Sequence, residues 1–269
     1  MIRVILAFFA CLANPGFANM ASDTGAARMV SSDVVILGEV HDNPAHHEAQ
    51  ASIVARLQPP ALVFEMLSAD QAAKITDQNR RDEGALEKAL DWGQTGWPDF
   101  GHYFPIFAAM PEARIYGAGL ARGVARKAMK SGISEYFGAD APRFGLDQPL
   151  SEAEQTEREA FQRAAHCDAL PQVMLPVMVD LQRLRDALLA QAVLTALAET
   201  GGPVVVITGN GHARKDWGLP VYLERATTGV RIFALGQSEE GQIDGDFDRV
   251  MDYPAIERPD PCQAFEKRE

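Results

Sequence analysis

The chain has 269 residues, of which 47% are hydrophobic and 23% are charged. This composition is typical of a globular protein with a substantial core, and the length fits one large domain or a domain with an insertion. The formal net charge of −12 argues against a nucleic-acid partner, because phosphate binding requires clustered Lys and Arg. Beyond the N-terminus, no segment approaches the roughly 18 uninterrupted apolar residues of a membrane helix.

The N-terminus has the order of features found in secretory signal peptides. A basic residue at Arg3 precedes an apolar run over residues 4–13, and small residues lead to a cleavage point after Ala18. We therefore expect residues 1–18 to be a cleavable signal peptide and the mature protein to be periplasmic; a buried first strand is the alternative. Lipoprotein anchoring at Cys11 is less favoured, because the preceding letters AFFA match a lipobox poorly.

Five short apolar runs predict β-strands. Each is almost continuously hydrophobic, which is typical of strands covered on both faces of a parallel sheet. Helical patterns lie between them, and the first begins at Pro44 after the N-cap candidate Asn43. The predicted fold class is α/β, with a mainly parallel sheet flanked by helices. The predicted strands span residues 34–38, 61–66, 113–119, 204–210 and 230–236, and further predicted helices span 69–90, 103–110 and 121–130.

Residues 150–200 differ from the rest and predict an inserted helical subdomain. A serine followed three residues later by a glutamate forms a capping-box pattern. Apolar residues then recur at helical spacing until a Gly-Gly pair ends the segment. We expect residues 19–149 and 201–269 to form the α/β domain, with the helical subdomain inserted before the fourth strand.

The cysteine count suggests one disulfide. If Cys11 leaves with the signal peptide, Cys167 and Cys262 remain. An even number of cysteines in an oxidising compartment favours a disulfide that would tie the C-terminal tail to the body of the domain. Two free thiols are the alternative.

Ionisable residues stand where four of the five predicted strands end. Ligands of a parallel sheet bind outside the carboxyl ends of its strands, so these positions are the first candidates for a site. Glu39 and His41 follow the first strand and, two residues apart in an extended chain, project to the same side. The other candidates are Glu65 after the second strand, Arg122 after the third, and His212 and Arg214 after the fourth.

This set of residues predicts a functional cleft whose chemistry is open. Two histidines with one or two carboxylates form a ligand set that zinc or a similar divalent ion accepts. Without a metal, the same side chains would share acid–base catalysis directly. Arg122 or Arg214 would hold a substrate carboxylate or stabilise an oxyanion, and a buried structural ion-pair network is a further alternative. The candidate metal ligands and acid–base residues are Glu39, His41, Glu65 and His212.

Two other groups of residues carry weaker signals. His46 and His47 lie in the first turn of a predicted helix, where consecutive residues face different ways. We expect His46 to reach towards the cleft and His47 to be on the surface or in packing. Met174 and Met178 lie on one helical face and predict either adaptable core or the wall of an apolar cofactor pocket.

Six stretches of the chain, in order, resemble the ChaN-like family of bacterial haem-binding proteins, which belongs to the Tiki superfamily with its paired Gly-x-x-His motifs. The resemblance implies an α/β domain with a smaller helical part, export, and haem or iron handling. In some relatives it implies a metal-dependent or acid–base hydrolase site on the two motifs. Glu39 and His41 match the first motif and His212 the second. The stretches are LGEVHDNPAHHEAQ, FEM, YFPIF, GAGLAR, HCDALPQVMLPVMVDLQRLRDA and GNGHARKDWGLPVYL.

The family is associated with a tyrosine ligand to haem iron, which makes Tyr103 and Tyr222 the candidates; an axial histidine is the alternative, with an Arg near a propionate. Covalent attachment is excluded, because the chain has no Cys-x-x-Cys-His. The leading hypothesis is therefore an exported haem-binding protein of haem or iron uptake, with non-covalent haem in the strand-end cleft and a homodimer that covers the exposed ligand. The alternative is a hydrolase of an ester or amide that uses the strand-end histidines and glutamates.

Overall fold

The computed structural model describes residues 24–260, 262 and 263, so the predicted signal peptide lies outside the described residues. The described chain forms a parallel sheet with the strand order β3-β2-β4-β1-β5-β6. The predicted α/β class with a parallel sheet is confirmed. The strands are β1 (Val34–Glu39), β2 (Ala61–Phe64), β3 (Arg114–Gly117), β4 (Val204–Gly209), β5 (Ile232–Glu239) and β6 (Arg249–Tyr253).

Helices connect the strands and cover both faces of the sheet. The first crossover helix begins at Pro44, and the side chain of Asn43 caps it by accepting a hydrogen bond from the Ala45 amide at 3.0 Å. The helices are α1 (Thr24–Val30), α2 (Pro44–Leu57), α3 (Ala69–Ala72), α4 (Glu83–Ala89), α5 (Phe100–Ala109), α6 (Arg122–Ser131), α7 (Ile133–Phe137), α8 (Glu152–Ala165), α9 (Leu175–Thr200), α10 (Asn210–Ala213) and α11 (Leu219–Ala226).

The sheet separates two hydrophobic cores. Alternate residues of β1 point to opposite faces, with Val35 and Leu37 in one core and Val34 and Ile36 in the other. Helices α2 and α5 cover the first face, and α9 and α11 cover the second. All six β1 residues are buried, which explains why the strand is uniformly apolar until Glu39.

The segment predicted as a helical subdomain contains α8 and α9. Helix α8 packs on α9, and α9 packs directly on β2, where Leu184, Ala187 and Val193 belong to the second core. The segment therefore provides one covering layer of the sheet. Its description as a separate subdomain stays a prediction.

Two elements differ from the sequence prediction. Strand β6 was not predicted, because it is a partly exposed edge strand without a continuous apolar run. The predicted helix over 69–90 is interrupted between α3 and α4. There, Thr76 and Asn79 exchange side-chain and backbone hydrogen bonds of 2.8 and 3.2 Å, which favour a turn over a helix.

A disulfide joins Cys167, after α8, to Cys262 in the C-terminal tail, with Cα atoms 5.5 Å apart. Within the described residues, none of the helices combines the length and apolar character needed to cross a bilayer.

Candidate functional site

The strand-end residues predicted from the sequence lie at one edge of the sheet. Glu39 is the last residue of β1, Glu65 directly follows β2, and His212 lies in α10, which begins where β4 ends. Since β1 pairs with β4 and β4 with β2, these three side chains approach one another at the carboxyl edge.

Glu39 is the buried centre of the first half of the site. Its Oε1 accepts a hydrogen bond from the Tyr103 hydroxyl at 2.8 Å and lies 2.7 Å from Nδ1 of His41. Its Oε2 accepts a hydrogen bond from Nε2 of Gln50 at 2.8 Å. These partners fix the carboxylate, and the carboxylate in turn orients the His41 ring.

The two histidines of α2 differ from the expectation. His47 is fully buried in the site: its Nε2 lies 2.9 Å from the His41 carbonyl oxygen and its Nδ1 lies 3.5 Å from Oε2 of Glu39. His46, also buried, accepts a hydrogen bond from the Val40 amide on Nδ1 at 2.9 Å. His46 therefore stabilises the β1–α2 loop, and His47 packs behind Glu39.

Glu65, His212 and Asp186 form the second half of the site. Oε2 of Glu65 accepts hydrogen bonds from the Thr208 hydroxyl at 2.7 Å and the Gly209 amide at 2.8 Å, while Oε1 lies 3.4 Å from Nε2 of His212. Nδ1 of His212 hydrogen-bonds Oδ1 of Asp186, on α9, at 2.7 Å. His41 and His212 thus each have Nδ1 on a buried carboxylate; Nε2 of His212 is directed at Glu65, and Nε2 of His41 lies beside Gly209.

Gly209 lies where the two halves meet. A Cβ atom at this position would be only 2.9 Å from Nε2 of His41 and 3.7 Å from Oε2 of Glu65. The His41 side chain is 33% exposed and its ring lies 4.8 Å from that of the partly exposed Trp97. His41 is therefore the imidazole of the site that a ligand from solvent reaches most directly.

Opposite charges in the site stabilise each other, which shifts the pKa values of His41 and Glu65. Burial alone would lower the pKa of His41, but its hydrogen bond to Glu39 and the negative charges of Glu65, Glu39 and Asp42 raise it to about 9. Burial would raise the pKa of Glu65, but the charges of His212 and His41, with two hydrogen bonds, hold it at about 2. At neutral pH the cleft therefore pairs an imidazolium at His41 with a carboxylate at Glu65.

The pKa values of the buried groups around this pair are also shifted. Burial opposes a charge on His212, but the carboxylates of Glu65 and Asp186 raise its pKa above the ordinary value. Burial raises the pKa of Asp186, in part offset by the charge of His212. Burial, together with the charge of Glu39, raises the pKa of Tyr103 far above its usual range, so this phenol stays neutral.

The predicted metal site has no support in this geometry. Among the residues that the structure describes, no group of three or more His, Cys, Asp or Glu side chains is arranged to hold a metal ion. The Nδ1 atoms of His41 and His212 and one oxygen of Glu65 already have protein partners. The metal-ligand role of the four strand-end residues stays a prediction.

Neither of the two predicted arginines, Arg122 and Arg214, has a described contact with the histidines and glutamates of the site. The Arg214 guanidinium is buried, pairs with Asp216 at 2.7 Å and stacks 3.5 Å from the centre of the Trp217 ring. Arg122 is the first residue of α6, and its side chain lies outside the described part of the structure.

The predicted haem-contacting residues occupy different environments. Tyr103 and Tyr222 are 0% and 1% exposed; the first is bonded to Glu39, and the second is a residue of α11 that points into the second core. Met174 and Met178 are partly exposed at the start of α9, next to Val173, which is 79% exposed. The two methionines thus lie on an accessible apolar surface, whereas neither tyrosine is open to solvent.

Asp186, Gln50 and Trp97 are site residues that the sequence analysis missed. Asp186 interrupts the apolar face of a long predicted helix, and a carboxylate at such a position is a signal of a buried partner. Gln50 and Trp97 have no comparable signal, since only the packing of α2 and the loop before α5 brings them to β1.

These features define the class: a parallel α/β protein in which ionisable side chains of two Gly-x-x-His segments meet at the carboxyl edge of the sheet. The chain belongs to the family described as haem-binding uptake, Tiki superfamily, ChaN, whose model matches residues 26–223. The resemblance found in the sequence is thereby confirmed. A comparison with curated proteins gives no significant match.

Three solved structures are similar to this chain. ChaN of Campylobacter jejuni, in a structure described as cofacial heme binding, is 20% identical with a TM-score of 0.65, and the match covers 83% of this chain and 88% of that one. At this identity the likeness shows the fold alone. The type III effector HopBA1 matches at 15% identity and a TM-score of 0.46, over 86% and 91% of the two chains. A Bacillus cereus protein matches at 18% identity and a TM-score of 0.41, over 87% of this chain and 73% of that one.

Proposed function

We propose that this chain binds haem non-covalently in the cleft at the carboxyl edge of the sheet, as an exported protein of haem or iron uptake. Family membership supports haem as the ligand. The observation that carries the choice of cleft is the His41 imidazole. Its Nδ1 is held by Glu39, its Nε2 faces the cleft, and its side chain is one-third exposed beside Trp97.

The residues of the cleft fit an axial histidine better than an axial tyrosine. An imidazole whose second nitrogen is bonded to a carboxylate is the usual protein arrangement for a metal-ligating histidine, and binding to iron would displace the Nε2 proton that His41 carries at neutral pH. Tyr103 and Tyr222 are buried, so neither reaches a planar ligand without a rearrangement of the core. Trp97 supplies apolar surface beside His41, and the partly exposed Met174 and Met178 are further candidates for contact with haem.

The test is an absorbance titration of the mature protein with haemin. Wild type should give a saturable Soret shift near one haem per chain, and His41→Ala should abolish it, whereas His166→Ala, a histidine at the end of α8, should behave as wild type. A Soret shift kept in His41→Ala but lost in Tyr103→Phe or Tyr222→Phe would move the ligand to that tyrosine. A titration without saturation would overturn haem binding.

The proposal further includes that the protein forms a homodimer and that it is exported. A cleft that leaves part of a flat apolar ligand exposed favours a second copy that covers it. Sedimentation velocity should show a dimer in the presence of haemin, and fractionation of expressing cells should place the mature chain in the periplasm with residues 1–18 removed.

An acid–base hydrolase is the second candidate, favoured by the two imidazole–carboxylate pairs on either side of Glu65. In such a reaction a carboxylate takes a proton from the water that attacks an acyl carbon, and His41 donates a proton to the leaving oxygen. Hydrolysis of a p-nitrophenyl ester, lost in both His41→Ala and Glu65→Gln and insensitive to a chelator, would support it. Equal rates in wild type and both variants would exclude it.

A further inference from the structure

The chain that follows β6 is attached to the loop that carries His41. We name residues 254–260 together with Cys262 the strap. The Pro254 carbonyl accepts a hydrogen bond from Asn43 at 3.0 Å. The Arg258 guanidinium then bridges Asp42, at 2.8 Å, and Glu239, at 2.6 Å. Asp42 directly follows His41, so this anchor lies on the wall of the cleft formed by β1 and α2.

The far end of the strap is attached to the opposite wall. Cys262 forms the disulfide with Cys167, which lies just after α8. Helix α8 packs on α9, the helix that carries Asp186 of the cleft. Phe161 of α8 also packs edge-on against Trp217, with ring centres 5.8 Å apart, beyond the Gly-x-x-His segment that carries His212.

The two ends of the strap are therefore attached to different walls. Only four peptide steps separate Arg258 from Cys262, a reach of at most about 14 Å. One anchor lies in the layer of α2 and the other in the layer of α8 and α9, which cover opposite faces. The short connection holds these two layers together at the edge where the cleft opens.

The two anchors differ in strength. The side chains of the Arg258–Asp42 pair are 31% and 43% exposed, and solvent screening makes ion pairs of this kind weak. Glu239 is better buried, at 13% exposure, and the Arg258 and Asn43 hydrogen bonds hold the pKa of its carboxyl near 2. The disulfide is thus the stronger, covalent anchor, and its state decides whether both walls stay joined.

We propose that the strap is a redox-controlled latch on the cleft. With the disulfide formed, the strap joins the two walls and restricts the entry and exit of a large ligand. A dithiol reductant transfers two electrons and two protons: the Cys167–Cys262 bond breaks, two thiols form, and the dithiol becomes a disulfide. Among the described contacts, those of Pro254 and Arg258 then remain to hold the strap, and the cleft opens. That the ligand is haem rests on the function proposed above; the latch itself does not.

Hydrogen exchange tests the latch without any ligand. Oxidised wild type is compared with Cys167→Ser/Cys262→Ser and with wild type that is reduced and alkylated. Amides of the β1–α2 loop, residues 40–48, and of the last turn of α8 should exchange at least about threefold faster when the disulfide is absent. The exchange rates of amides in β2 and β4 should be unchanged. Faster exchange confined to residues 254–263, or faster exchange everywhere, would overturn the latch.

Ligand release gives the second readout. Haemin transfer from the double-serine variant to an excess of apomyoglobin should be at least about threefold faster than from oxidised wild type. Adding Arg258→Gln to the double-serine variant should raise the rate further, whereas Arg258→Gln alone should have little effect. Equal release rates would overturn the latch. If wild type binds no haemin, the proposed function fails, and the exchange experiment still decides the latch.

Discussion

Oδ1 of Asp186 lies 2.7 Å from Nδ1 of His212, which joins the middle of α9 to the segment that follows β4. This bond fixes the imidazole ring so that its Nε2 points to Glu65. A covering helix of the sheet thus contributes directly to the arrangement of the cleft.

Replacing this carboxylate should change the titration of His212. In Asp186→Asn the imidazole loses a negative neighbour, so the pKa of His212 should fall, because burial then opposes its charge with less compensation. The imidazole signals in NMR spectra recorded across a pH series measure this. Asp180→Asn, an exposed carboxylate of the same helix, should leave the His212 titration unchanged. An unshifted pKa in Asp186→Asn would contradict the assigned bond.

Glu65 should make the protein sensitive to acid. Its pKa is about 2 in the folded state and 4.5 as the ordinary value, so its stabilising contribution is complete above about pH 4.5 and is lost as the pH falls towards 2. Glu65→Gln should lower the free energy of unfolding at pH 7 by about 1–3 kcal/mol and flatten its decline over that window.

Urea denaturation at several pH values between 7 and 2.5 measures this effect. Glu157→Gln, which removes an exposed carboxylate of α8, is the matched control and should follow wild type. A Glu65→Gln protein as stable as wild type at pH 7 would show that the carboxylate is not stabilised as described.

Gly209 and Gly211 form a matched pair for testing the cleft. A Cβ at Gly209 would lie 2.9 Å from Nε2 of His41, whereas a Cβ at Gly211 would meet nothing within 4 Å. Gly209→Ala should displace the His41 ring and weaken haemin binding about tenfold, equivalent to about 1.4 kcal/mol. Gly211→Ala should bind as wild type. Equal affinities of the two variants would argue against a ligand at His41.

Tyr103 offers a separate test of its role. Its hydroxyl donates to Glu39 in a fully buried position, so Tyr103→Phe should lower the free energy of unfolding by about 1–2 kcal/mol. If Tyr103 only orients Glu39, haemin should still bind, with a modest loss of affinity. Tyr116→Phe, which removes an exposed hydrogen bond to Glu199, should cost less stability. Loss of the Soret shift in Tyr103→Phe alone would make this tyrosine the ligand.

The sequence was informative where burial and chain direction act together. Continuous apolar runs predicted β1 to β5, and the parallel arrangement then placed Glu39, Glu65 and His212 at one edge. It was uninformative for partners that come from other layers of the fold. Asp186 and Tyr103 meet the edge only because α9 and α5 pack on opposite faces, which no local pattern encodes. His47 was expected on the surface or in packing, and the packing of α5 on α2 is what buries it behind Glu39.

The position of β1 has a consequence for how the protein folds. Val34, near the start of the described chain, pairs with Val204 in β4 and Ile232 in β5, so the central strand finds both neighbours only late in the sequence. Such distant pairing predicts slow folding, because a long loop must close before the contacts form. A chain that is still being synthesised or translocated presents an unpaired apolar strand, and would depend on a chaperone until β5 arrives.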